Sequence, residues 1–282
     1  MIKTFLETKR YNKSDNDYFW FRNDGYKDIY FQIYGSFEGT QEFSYDKSTW
    51  YDKDYNDGWW TIILKPGQKV YFRSTDGWSG ENVIQYTEYE IGRLSVGGPV
   101  ASLVDYTDMA NVTALPDHCL HNLFGGGNGS SDGYFAENIY DASEMDFGNI
   151  TTVGRYSLYG MFHNCKNIYT DKLPDFSGIT EVGYNGMWNI FENCEKLQKG
   201  IDLSSVTTLD TNSLYNMYFG CHYLEEATFP NISVYDQSKT FNWLFDAGID
   251  VTGTKIVNCP TGVVIPTGDN SGIPYGWTRV DY

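Results

Sequence analysis

An eleven-residue block occurs three times in full: LYGMFHNCKNI from Leu158, MWNIFENCEKL from Met187 and LYNMYFGCHYL from Leu214. Its generic form is apolar, aromatic, Gly or Asn, apolar, aromatic, any, Asn or Gly, Cys, any, any, apolar. The three starts lie 29 and 27 residues apart. Self-similarity at a period of roughly 20 to 50 residues marks an array in which each unit buries its apolar face only against its neighbours. That leaves few folds open to this stretch.

Apolar residues at fixed offsets extend the pattern. Val112, Ile150, Ile179, Val206 and Ile232 each precede a block by eight residues, and Leu115, Val153, Val182, Leu209 and Tyr235 follow three residues later. The frame reveals two degenerate copies, LHNLF at Leu120 and TFNWL at Thr240. Within a block, Leu158, Met161, Phe162 and Cys165 keep the i, i+3, i+4, i+7 spacing of a short amphipathic helix. Met187, Ile190, Phe191 and Cys194 repeat it, as do Leu214, Met217, Tyr218 and Cys221. The stretch after a block, such as IYTDKLPDF from Ile168, looks extended. One unit is therefore expected to be a short helix, a connection and one or two short strands, repeated as an irregular solenoid of about five turns over 105–248. The 38 residues from Leu120 to Leu158 exceed the other intervals by the Gly-rich run Gly125 to Gly133, an inserted surface loop. Residues 249–282 suit a terminal cap.

Upstream, YFWFR at Tyr18, DIYFQIY at Asp28, QEFSY at Gln41, WWTIIL at Trp59, KVYFRS at Lys69 and NVIQYTEYEI at Asn82 carry strand signals between turn-formers. They predict a small antiparallel, Ig-like β-sandwich over 18–104, with Arg93 to Val104 as an extended junction. The expected class is thus α+β.

A net charge of -17 repels phosphate backbones and sets nucleic acid aside as a partner. The stretch MIKTFLETKRYNKSDND lacks a signal-peptide core, and no later run is long enough to cross a bilayer, so a soluble chain without membrane insertion is expected. Cys119, Cys165, Cys194, Cys221 and Cys259 form no CxxC pair, and three share one block position. Buried structural thiols are expected, with a bridge between stacked copies left open.

The block core, seen as MFHNCKNI, IFENCEKL and MYFGCHYL, resembles the BspA-type leucine-rich repeat proteins of Bacteroides and their phages. FSYDKSTW at Phe43, GQKVYFRS at Gly67, GPVASLV at Gly98 and GIPYGWTRV at Gly272 are similar to that family's flanking modules. The likeness spans roughly Gln41 to Tyr282. It implies a display scaffold with no catalytic residues of its own, found in surface adhesins and phage virion proteins.

Local motifs offer little chemistry. Gly129-Ser130-Ser131-Asp132-Gly133 matches G-x-S-x-G, but Gly and Asn precede it where a nucleophile elbow needs a buried strand. Asp52 to Gly58 imitates a calcium loop, yet Ile63 stands where the bidentate Glu belongs. His118, His121, His163 and His222 form no ligand pair with a carboxylate. No catalytic residue, cofactor or metal is therefore assigned. Trp50, Tyr51, Trp59, Trp60 and Trp78, in or beside turns of the sandwich, are the candidate ligand or interface aromatics, with core filling as their bland role. Tyr159, Trp188 and Tyr215 share a column and are expected to pack between copies.

The resulting expectation is a non-enzymatic structural protein on a bacteriophage virion surface: a head fibre, capsid decoration or tail-associated protein. It would attach through an arm at 1–17 and contact other virion proteins, its own copies, or a host surface glycan or protein. A bacterial surface adhesin or extracellular carbohydrate-binding module is the first alternative, and a glycan hydrolase the second.

Overall fold

The computed structural model describes residues 17–34, 41–52, 60–74, 83–86, 92–125, 134–268 and 271–282; for 31–34, 52, 60, 61, 83–86, 134 and 135 it describes the backbone alone. The expected attachment arm, apart from Asp17, lies outside these residues, as does the insertion beyond Gly125.

Alternating sequence gives the N-terminal part its strands. These are β1 (Phe19–Asn23), β2 (Ile29–Tyr34), β3 (Gln41–Ser44), β4 (Tyr51–Asp52), β5 (Trp60–Leu64), β6 (Lys69–Ser74), β7 (Val83–Tyr86) and β8 (Leu94–Pro99). β8 forms where the sequence suggested only an extended junction. Further on come β9 (Ala114–Leu115) and β10 (Ile139–Asp146). A six-stranded sheet runs β10-β8-β1-β6-β3-β4, and a three-stranded sheet runs β5-β2-β7. Because side chains alternate across a strand, Phe19, Phe21, Val70 and Phe72 enter the main core with Ile29, Ile62 and Leu64 of the second sheet. Their neighbours Tyr18, Trp20 and Tyr71 form a separate cluster. β10 pairs with β8 in parallel, and Phe124 meets Phe21 with ring centroids 5.9 Å apart. The first copy of the repeat therefore completes the N-terminal sheet across the boundary the sequence suggested at 104.

The expected α+β class, an Ig-like sandwich leading into a helix-bearing leucine-rich-repeat solenoid, is overturned. The chain is mostly strand and sheet, with several sheets of mixed and parallel strands and very little helix. Among the described residues the α-helical pieces are α1 (Ser102–Asp105) and α2 (Tyr134–Glu137), and neither lies in a block.

The reason lies in the Asn and Gly positions of the block. Tyr156, Gly160 and Asn164 have φ of 55, 56 and 63°, as do their counterparts Asn185, Asn189 and Asn193 at 55, 56 and 60°. Asn212, Asn216 and Gly220 repeat the pattern. Left-handed backbone at every fourth residue interrupts an α-helix, and Gly and Asn tolerate it best. N–H groups then alternate in direction. Met161 donates back to the Leu158 carbonyl at 3.2 Å within its own turn, whereas Phe162 donates to the Ile190 carbonyl of the next copy at 2.9 Å. Gly160 and Asn164 likewise reach Trp188 and Glu192, each at 2.8 Å. Consecutive turns keep the apolar side chains on one face, as a helix would, while bonding the copies to one another.

The offset apolar residues of the first four copies lie in or beside short strands. β11 (Thr152–Val153), β12 (Glu181–Val182) and β13 (Thr208–Leu209) join β9 in a parallel sheet ordered β13-β12-β11-β9. Beneath the turns, Phe124, Phe162, Phe191, Tyr218 and Trp243 stack through the core with successive centroids 5.1, 5.6, 5.7 and 6.2 Å apart. Tyr218 is fully buried, and its hydroxyl accepts from the Ile201 N–H at 2.9 Å. At the C-terminal end, β14 (Glu226–Thr228), β15 (Lys255–Cys259) and β16 (Trp277–Asp281) form a second parallel sheet. The Trp243 indole donates to the Gly272 carbonyl at 2.8 Å, which seats the final segment over the last copy.

Candidate functional site

In each block, positions one, four, five and eight face inward. Leu158, Met161, Phe162, Cys165, Met187, Ile190, Phe191, Cys194, Leu214, Met217, Tyr218 and Cys221 are all fully buried. All five cysteines are free, so no bridge forms between copies. Cys194 and Cys221 donate to the carbonyls of Phe162 and Phe191 at 3.2 and 3.0 Å. Burial holds the Cys165, Cys194 and Cys221 thiols well above the ordinary range. Thiols so placed are inert as nucleophiles.

From the second copy onward, position two faces outward. His121, Tyr159, Trp188, Tyr215 and Phe241 make a continuous ribbon across five copies, with successive centroids 4.6, 5.5, 4.4 and 5.3 Å apart. His121 is buried, Tyr159, Trp188 and Tyr215 are half-buried, and Phe241 is exposed. The rings are tilted by 67, 51, 39 and 27° to one another, so each inner ring lies between two neighbours in an overlapping row. Trp188 Nε1 and Tyr215 Oη make no hydrogen bond among the described residues, nor are they among the buried polar atoms, so both tips meet solvent. A second file flanks the first: His118 stacks on Tyr156 at 4.8 Å, Tyr156 meets Tyr184 at 5.6 Å, and Arg155 lies over both tyrosines. The sequence had marked Tyr159, Trp188 and Tyr215 as packing residues. They do pack on one another, yet Trp188 and Tyr215 also reach solvent. The available signal was their type, since Tyr and Trp carry a polar tip that a column sealed in the core seldom uses.

Position six forms a further outer column of His163, Glu192, Phe219 and Phe245. Phe219 and Phe245 are nearly parallel at 5.4 Å. Glu192 Oε1 lies 3.8 Å from His163 Nε2. Burial raises the Glu192 carboxyl to about 7 and lowers His163. Burial, with a smaller contribution from His118, lowers His121 to about 4.

The aromatics singled out in the N-terminal part are less available. Trp50 meets Tyr18 edge-on at 4.7 Å and donates its indole N–H to the Lys47 carbonyl at 3.2 Å. Its face carries the Arg73 guanidinium at 3.9 Å, itself paired with Glu42 at 2.6 Å. Trp50 is thus occupied within the fold. Tyr51 is 46% exposed and stacks on Phe43 at 5.1 Å. Of Trp60 the backbone is described, paired with Ile33, whereas Trp59 and Trp78 lie outside the described residues. The G-x-S-x-G run and most of the calcium-like loop also lie outside them.

Among the described residues no group of three His, Cys, Asp or Glu side chains could hold a metal, and no helix is long and apolar enough to cross a membrane. Comparison with family models, curated proteins and solved structures finds no match.

Proposed function

We propose that the chain is a non-enzymatic recognition protein on a bacteriophage virion, holding its outward aromatic ribbon toward the host surface. The observation that carries this reading is the file Tyr159, Trp188, Tyr215 and Phe241. These are polar-tipped or exposed rings kept in register by backbone bonds between copies. Rigid aromatic side chains with an apolar body and a wet tip supply contact area at low entropic cost, which is why they dominate recognition surfaces. The buried cysteines and the internal use of Trp50 leave this file as the best-formed candidate surface. The virion setting, with other virion proteins as neighbours, follows from the resemblance to BspA-type repeat proteins of Bacteroides phages.

Two measurements test the reading. Fluorescently labelled protein is expected to bind cells of a panel of Bacteroides strains, and Trp188→Ala with Tyr215→Ala to reduce that binding at least tenfold while the melting transition stays cooperative. Unchanged binding by the double variant would remove the ribbon from the account. Mass spectrometry of purified phage particles is expected to contain the chain. Its absence there, with cell binding retained, would move the same ribbon to a bacterial adhesin.

A further inference from the structure

We infer that the ribbon takes an uncharged glycan chain laid along it, a ligand assignment that rests on the recognition reading above. The first ground is translational. The ribbon presents one ring per copy at steps of 4.4 to 5.5 Å. Such a surface is matched along its length by a ligand that itself repeats with a similar step, as a polysaccharide does. An extended peptide returns a side chain to the same face only every two residues, about 6.7 Å, and a polyproline-type chain every three, about 9 Å. Both fall out of step within a few rings.

The second ground is charge. The side chains in the ribbon file and the adjoining file of Gly160, Asn189, Asn216 and Asn242 include no carboxylate, lysine or arginine, although the chain carries a net charge of -17; on the other flank Arg155 is engaged over Tyr156 and Tyr184. A polyanion would meet repulsion from the rest of the surface, and a polycation would find better partners elsewhere on it. The third ground is chemical. The apolar bodies of the half-buried rings suit pyranose C–H groups, while the solvent-reached Trp188 Nε1 and Tyr215 Oη suit sugar hydroxyls.

The inference is tested on whole cells that bind the protein, after treatment with periodate, which cleaves vicinal diols, or with protease. Loss of binding after periodate, no loss after protease, and little change between 50 mM and 500 mM NaCl are the expected results. Binding that survives periodate, with or without loss to protease, would overturn the glycan and leave the recognition reading standing with a different partner. Binding that collapses at high salt would overturn an uncharged ligand, because screening weakens charged contacts. Neutral polysaccharides (dextran, mannan and galactomannan) serve as competitors, and at least one is expected to displace the protein where alginate does not; displacement by alginate alone would overturn the proposal. Tyr275→Ala, at a residue 87% exposed and remote in sequence from the ribbon, is the control and is expected to bind like the parent. Failure of the ribbon variants to lose cell binding would instead overturn the recognition reading, so the two failures are distinguishable.

Discussion

The Gly160 N–H donates to the Trp188 carbonyl 2.8 Å away in the next copy, from a backbone held at φ 56°. One bond therefore joins the left-handed residue of one block to the outward ring of the next. The register of the ribbon is set by such backbone bonds, and the rings follow them.

Gly160→Ala is expected to destabilise the protein by about 2 to 4 kcal/mol, combining left-handed strain with overpacking. A Cβ at Gly160 would overlap Asn122 Oδ1. Gly253→Ala, where a Cβ meets nothing within 4 Å, is expected to change stability by less than about 0.5 kcal/mol. Urea unfolding followed by circular dichroism gives both values.

Phe191 stacks between Phe162 at 5.6 Å and Tyr218 at 5.7 Å and is fully buried. Phe191→Ala should lower the unfolding free energy by about 3 to 5 kcal/mol. Phe241, 38% exposed at the end of the ribbon, should lose roughly 1 kcal/mol when truncated, since less of its area leaves water on folding. Equal losses at the two sites would contradict the inward and outward assignments.

Glu192 gives the protein a pH dependence of definite sign. Its carboxyl is raised from 4.5 to about 7 in the fold, so the stability it permits is complete below about pH 4.5 and is lost as pH rises through 7. The shift corresponds to about 3 kcal/mol. Glu192→Gln should remove that loss and make the variant more stable than the parent at pH 8. His121 acts in the opposite sense, with stability lost as pH falls from 6.5 through 4, so the Glu192 contribution is read from the difference between parent and variant.

All five thiols are buried and free. No thiol should react with a soluble disulfide reagent in the native protein, and all five should react in guanidinium chloride. Burial pushes Cys259 up to about 11, so raising the pH to 9 should not expose it to reaction either.

Much of the architecture was legible in the sequence because its causes are local. The strand signals YFWFR and KVYFRS carry β1 and β6. The columns Val153, Val182 and Leu209 marked the repeat, but the strands form at them, whereas IYTDKLPDF, expected to be extended, holds a 3-10 turn at Thr170–Lys172. The helix expected in each block failed for an instructive reason. Leu158, Met161, Phe162 and Cys165 share one face in a helix and in consecutive turns alike, so burial spacing does not separate the two. Asn185, Asn189 and Asn193, a residue type suited to left-handed backbone at every fourth position, carried the distinction. The pairing of β10 with β8 was not legible, because a parallel partner more than forty residues away leaves no local mark. The ribbon was half legible: its column was visible in Tyr159, Trp188 and Tyr215, but the solvent reached by Trp188 and Tyr215 depends on how neighbouring copies tilt the rings.

Hydroxyl-radical footprinting of the protein bound to Bacteroides cells tests the central claim most directly, because it reports which side chains the ligand covers. Protection of Tyr159, Trp188 and Tyr215, with Tyr26 and Tyr275 oxidised at the rate of the free protein, is the predicted result. Protection confined to Tyr51, Tyr275 or Tyr282, with Trp188 and Tyr215 still oxidised at the free rate, would contradict it.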